Sequence, residues 1–205
     1  MSFFPYGEEE LAYLSSRDVR LKKLIELVGR LPRQVDDNLF VSLIFSIASQ
    51  QISGKAAQTI CGRLTERFDG PTPQRLVETP IEDIQTVGMS MRKAQYIQTI
   101  AKKVVNHELD LHALLTMEDE EVIRVLDELP GIGRWTAEML LIFALKRPNV
   151  FSKNDFGIQK GLMKLYHHKS LTPARLERYQ KRYAPYSSIA SFYLWELASR
   201  KDLEL

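Results

Sequence analysis

Leu129-Pro130-Gly131-Ile132-Gly133-Arg134-Trp135-Thr136-Ala137 lies between an acidic, helix-patterned segment and the apolar run Met139 to Leu145. Two glycines spaced two apart permit φ values that other residues avoid and let a second chain approach the backbone. The residues after Gly133 open a helix, so their unpaired N–H groups face outward and suit a phosphate. A plain turn between two helices is the alternative reading. The third glycine and the preceding strand of a dinucleotide-binding fingerprint are missing. The segment therefore predicts a helix, a tight turn and a second helix. Thr86-Val87-Gly88-Met89-Ser90, followed by Ala94 and Ala101, gives a weak echo of this pattern 43 residues earlier.

Helical signals continue outward in both directions, and strand alternation is nearly absent. Ser16 precedes an apolar series (Val19, Leu21, Leu24, Ile25, Val28) that stops at Gly29, with Pro32 beyond it. Asp37 is expected to open a helix through Leu39, Phe40, Leu43, Ile44 and Ile47, apolar all round and so a buried centre. Ser53 is placed as the cap of a helix carrying Ala57, Ile60, Leu64 and Phe68. Thr72-Pro73 and Thr172-Pro173 each pair an N-cap residue with proline at the first helical position. Thr116 with Asp119 reads as a capping-box variant ahead of Val122, Val125 and Leu126. The fold class is all-α, with about ten short helices in a chain of this length.

The 205 residues are 44% hydrophobic, enough for one large domain or two small lobes with real cores, which argues against disorder. A formal net charge of +2 does not mark the whole surface as a binder of polyanions. Its distribution is more informative. Residues 104 to 138 carry a net charge of −7, whereas residues 139 to 182 carry +8, which suggests an anionic partner at one face. Cys61 is the only cysteine, so disulfide frameworks, thiolate zinc sites and four-cysteine iron-sulfur clusters are excluded. The first twenty residues hold Glu8, Glu9 and Glu10 and do not read as a leader. No apolar stretch reaches the ~20 residues needed to span a bilayer. An intracellular protein that does not enter membranes is expected.

The whole L-P-G-I-G-x-x-T-A string resembles the helix-hairpin-helix of DNA repair glycosylases. Gln50-Gln51-Ile52-Ser53 with Ala56, Ala57, Ile60 and Arg63 resembles the Q-Q-[IV]-S-x-x-A-A element of the alkylpurine branch, the DNA-3-methyladenine glycosylase II family. Val150-Phe151 with Asp155, Gly157, Gln159, Gly161 and Leu162 is similar to that family's V-F-x-x-x-D-x-G-x-[QK]-x-G stretch. Tyr183, Pro185, Tyr186, Tyr193 and Trp195 are similar to its C-terminal aromatic segment. These matches cover about residues 37 to 196 and occur in family order.

The resemblance implies two helical lobes with a cleft between them. Residues 36–147 would form a lobe ending in the hairpin, and residues 1–35 would pack with a C-terminal lobe of residues 148–205. It implies hydrolysis of the N-glycosidic bond of alkylated purines such as 3-methyladenine and 7-methylguanine in duplex DNA, by a monomer and without an organic cofactor. Cleavage develops positive charge on the sugar, so a fixed carboxylate is needed near it and the base must leave the stack. Asp155, the only acid between Glu138 and Glu177, matches the family's catalytic aspartate. Local sequence alone reads it as a helix cap, and the two roles are compatible.

Bifunctional relatives carry a lysine where this chain has Trp135, so a Schiff base is not expected there. The indole would instead stack on a cationic alkylpurine, its alternative being a place in the core. Gln50, Phe156, Tyr186 and Trp195 are further pocket candidates. Gln51 matches the position that fills the gap left by a flipped base. Ser53, Gly131, Gly133, Arg134, Thr136, Lys153 and Lys160 are expected to contact DNA, with Lys164 in the same basic run. Backbone carbonyls of Leu129 and Ile132 would hold a monovalent cation at the hairpin. Ser187, Met139, Glu196 and Ser152 depart from the family pattern, which touches substrate range more than reaction type. The rival reading is a non-catalytic DNA-structure binder that kept the hairpin.

Overall fold

The computed structural model describes residues 2–203. Twelve α-helices occur among them: α1 (Glu8–Arg17), α2 (Val19–Val28), α3 (Leu39–Ala48), α4 (Gly54–Phe68), α5 (Pro73–Glu78), α6 (Ile81–Gln85), α7 (Met91–Val105), α8 (Asp119–Asp127), α9 (Arg134–Phe143), α10 (Phe156–Tyr166), α11 (Pro173–Tyr183) and α12 (Ser187–Ser199). The strands among the described residues are β1 (Ser2–Phe3) and β2 (Gln34–Val35), paired antiparallel with Ser2 opposite Val35. The all-α expectation therefore holds, with a two-stranded clasp added.

Three of the expected helix starts shift by one or two residues. Asp18, not Ser16, caps α2 and accepts from the N–H groups of Arg20 and Leu21, each at 3.0 Å. Asn38, not Asp37, caps α3 through Val41 N–H. Thr116 turns back to donate to Ala113 C=O, which leaves Glu118 at the N-cap of α8. Ser53, Thr72 and Thr172 cap α4, α5 and α11, because extended φ and ψ at each aim the hydroxyl at an unpaired N–H two or three residues on.

The chain divides into two compact units: the residues up to Val35 with those from Leu141 onward, and Asp36–Leu140. The division falls inside α9, earlier than the boundary at 147 read from sequence. Arg147 N–H bonds Leu141 C=O, while Ser188 donates through its N–H to Pro148 C=O and through its hydroxyl to Arg147 C=O. Those bonds tie residues 141–150 to α12.

In the first unit, α12 is buried on nearly every side and is the axis of packing. Gly161 on α10 allows that helix to close on it, since a Cβ at 161 would overlap the Leu194 carbonyl. Phe4 packs edge-on to Phe192 at 5.0 Å, and Tyr193 donates its hydroxyl to Gly29 C=O, so the N-terminal segment covers the C-terminal helices. Asp18 also joins the two segments. Its carboxylate, 5% exposed, accepts from the Tyr166 hydroxyl and from Arg182 at 2.6 Å, and Tyr166 in turn meets the Tyr183 hydroxyl.

In the second unit, Leu43, Ile44 and Ile47 of α3 and Ala94, Ile97 and Ile100 of α7 are fully buried. Two helix–turn–helix units occur here, α6 to α7 and α8 into α9. Their turns contain Gly88 at φ +111° and Gly131 at φ +81°.

Burial pushes the Asp18 carboxyl up, but donation from Tyr166, Leu21 N–H and Arg182 outweighs it and holds the group below its ordinary range. A carboxylate with a depressed folded pKa stabilises the fold above its unfolded pKa and loses that contribution as pH falls through the folded value. Asp18→Asn should therefore cost about 2 kcal/mol at neutral pH, with the gap to wild type narrowing below about pH 4. Unfolding curves collected across a pH series check both the loss and its convergence.

Candidate functional site

In the second unit, the hairpin turn closes through Leu129 N–H to Leu126 C=O and Ile132 N–H to Leu129 C=O, and Ala137 N–H to Gly133 C=O starts α9. Gly131 is required twice over. Its φ of +81° lies in the left-handed region, and a Cβ there would stand 2.5 Å from Cδ2 of Tyr96. Of the two glycines that permit such φ values, Gly131 alone adopts one; Gly133 does not. Leu129 and Ile132 bury their side chains beneath the turn.

The Gln50-Gln51 loop meets this hairpin. Gln50 Nε2 donates to Gly131 C=O at 2.6 Å, so Gln50 is a brace of the turn in this unit, whereas the sequence placed it in a base pocket. Gln51 is exposed and holds φ +56°, unusual for a residue with a long side chain. Such strain persists only where neighbours over-determine it. Lys93, absent from the sequence reading, supplies part of that constraint: its Nζ donates to Ala48 C=O at 2.9 Å and to Gln50 C=O at 2.7 Å. Tyr96 and Lys93 share one face of α7. No local motif marks them, because their role exists only once α7 packs beside α3 and the hairpin.

Trp135 is 50% exposed and so is not a core residue. Thr136, the next residue, is half-buried. Arg134 departs from the expected simple phosphate contact. Glu120 takes its two terminal nitrogens, at 3.1 and 2.6 Å, and Glu138 accepts from its Nε at 3.2 Å. The guanidinium is thereby oriented, with acidic neighbours compensating its charge.

In the first unit, Asp155 caps α10. One carboxylate oxygen accepts from Ile158 N–H at 2.7 Å and from Trp195 Nε1–H at 2.7 Å, and the residue is 7% exposed. Gly157 makes room for the indole: a Cβ there would lie 2.6 Å from Trp195 Cδ1. Phe143 stacks on the indole at 5.9 Å. A recess of about 530 Å³ lined by Phe3, Pro32, Arg33, Gln34, Phe143 and Trp195 opens on that side. Phe156, immediately after the acid, is 76% exposed and presents its ring to solvent. Tyr186 instead packs edge-on against Tyr13 at 5.3 Å, a packing role in place of the expected pocket role.

The basic run is partly committed. Lys164 Nζ caps α12 through Leu197 and Arg200 C=O and is corrected from DNA contact to helix cap. Lys153 sits 3.9 Å from Glu177, and Lys160 is exposed. The departures from the family pattern also find partners. Glu196 pairs with Arg33 at 3.0 Å, and the buried Ser187 donates to Asn149 Oδ1 at 2.9 Å. Among the described residues no group of three or more His, Cys, Asp or Glu side chains could hold a metal ion, and no helix is long and apolar enough to cross a membrane.

Trp195→Phe removes one donor from a buried carboxylate while keeping an aromatic ring in place. It should lower stability by about 1–3 kcal/mol, read by chemical denaturation, with little change in circular dichroism at low denaturant.

A family model described as the HhH-GPD superfamily base excision DNA repair protein matches residues 44–185. The chain is 31% identical over 198 residues to DNA-3-methyladenine glycosylase 1 of Schizosaccharomyces pombe, covering 93% of this chain and 87% of that protein. Among solved structures, a DNA-3-methyladenine glycosidase from Bacillus halodurans superposes with a TM-score of 0.85 at 36% identity, over 97% of this chain and 93% of that one. The S. pombe 3-methyladenine DNA glycosylase in complex with abasic DNA gives 0.83 at 30% identity, over 97% and 100%. With an ordered hairpin, a Gln50-Gln51 loop braced on it and a buried aspartate capping α10, the chain belongs to the HhH-GPD superfamily of base excision DNA repair proteins.

Proposed function

We propose that this protein is a monofunctional DNA glycosylase, acting as a monomer inside the cell, that hydrolyses the N-glycosidic bond of alkylated purines in duplex DNA. The observation that carries the reading is the Asp155 carboxylate, buried and hydrogen-bonded by Ile158 N–H and the Trp195 indole, next to the exposed ring of Phe156. The names of the relatives reported above, each a 3-methyladenine glycosylase or glycosidase, agree with it.

In this reading the damaged nucleotide rotates out of the stack and Gln51 enters the gap. The hairpin amides around Gly133 bind the backbone phosphate. Departure of the base leaves an oxocarbenium-like sugar, and the fixed negative charge of Asp155 stabilises that transition state without reorganising. Water supplies the nucleophile, since Trp135 offers no amine at the hairpin. Its exposed indole would favour a cationic alkylpurine over a neutral base, because positive charge is attracted to the ring face. No organic cofactor is required. The hairpin also fits a monovalent cation: Leu129 C=O has given one lone pair to Ile132 N–H and keeps a second, so the Leu129 and Ile132 carbonyls would hold the ion. Bound there, it would supply positive charge beside a phosphate.

Wild-type protein should release free 3-methyladenine and 7-methylguanine from methylated duplex DNA. Asp155→Asn should slow release by about 10²-fold or more while binding to abasic duplex is kept; equal activity of the variant would remove Asp155 from catalysis, and no release by folded wild-type protein from any alkylated substrate would end the enzyme reading.

Borohydride added during turnover should trap no covalent protein–DNA adduct. A trapped adduct would mean that an amine attacks the sugar and that the reaction includes strand cleavage.

A further inference from the structure

The Lys93 ammonium bridges two carbonyls where α3 gives way to the Gln50-Gln51 loop. It closes the C-terminal end of α3 by taking the Ala48 carbonyl, and it takes the Gln50 carbonyl one residue before Gln51 turns to φ +56°. The Gln50 side chain then reaches Gly131 C=O, and the Tyr96 ring, one helical turn from Lys93, lies against the face of Gly131 that a side chain would occupy. One helix, α7, thus touches both the loop and the hairpin turn.

Burial lowers the pKa of Lys93, and carbonyl oxygens in place of water are its compensation. An amine committed to two carbonyls has little left for a phosphate. A surface lysine that contacted DNA would instead project into solvent, as Lys160 does.

We infer that Lys93 is a positioning residue, which sets the Gln50–Gln51 loop and the Gly131 turn in one register so that the gap-filling side chain and the phosphate-binding amides meet DNA together. The functional half of this inference rests on the glycosylase reading; the mechanical half does not. Lys93→Met removes both donors and leaves a side chain of similar length.

Hydrogen exchange on the free protein reads the mechanical half. Amides in residues 48–53 and 129–133 should exchange about tenfold faster or more in the variant, while α10 and α12 stay protected. Unchanged exchange in both segments overturns the proposal. Binding reads the functional half: the preference for abasic over undamaged duplex should fall about tenfold, with the slope of log affinity against log salt unaltered. A slope shallower by about 0.9 would instead make Lys93 a phosphate contact and overturn the proposal. So would faster exchange with the abasic preference intact, since Lys93 would then be structural alone. Lys93→Arg, which keeps a charged donor, should recover part of the preference.

If wild-type protein shows no abasic preference while exchange responds as expected, the lock stands and the glycosylase reading fails. Should Lys93→Met not fold, Lys93→Gln, neutral and shorter, is measured in its place with the same outcomes.

Discussion

The Asp155 carboxylate is 7% exposed, and an ionised group at that depth is tolerable only where donors replace the water it has lost. Much of the C-terminal segment follows from that requirement. Asp155 must begin a helix, so that Ile158 N–H can reach it, and Trp195 must stand over it, so that the indole N–H can. The indole leaves no space for a side chain at 157, and the closeness of α10 to α12 leaves none at 161. Two glycines in a good helical stretch, each unfavourable to the helix by about 1 kcal/mol, are thereby explained by packing around a charge. The arrangement that pins the acid also fixes its direction, as the proposed electrostatic role requires.

The other unit handles a different problem, holding a sharp turn above a closed core. Gly131 supplies the bend, Tyr96 covers it, and Gln50 takes the carbonyl that the bend turns inward. The backbone that leads into α9 is thereby held in one conformation by its neighbours. Gln51 is the strained member of the set, and its backbone is held on one side by Lys93 and on the other by the Ser53 cap of α4.

Legibility followed the range of the interactions. The Gly131 turn, the caps at Ser53, Thr72 and Thr172 and the Asp155 cap were readable because each depends on residues within a few positions. Asp18 was overlooked as a cap, since Ser16 offers a similar local signal; Ser16 lies inside α1 with its hydroxyl on Tyr13 C=O, which leaves Asp18 at the start of α2. Lys164 and Arg134 looked like part of a basic surface. One proved to be tied to the end of α12 and the other to Glu120 and Glu138, partners 14 residues or more away except for Glu138. Tyr186 was assigned by motif to a pocket but rests on Tyr13, which comes from the opposite end of the chain.

By itself the sequence determined the helical class, the hairpin, the acid at the head of α10 and the absence of a lysine beside the hairpin. These are properties of residue type and short spacing, fixed by φ preferences, capping and side-chain chemistry. Only the tertiary structure decided which side chains are committed. It bound Gln50 to the hairpin, Lys93 to the loop and Trp195 to Asp155, because hydrogen bonds between distant segments depend on helix packing, and no local pattern encodes which carbonyl a buried lysine will meet.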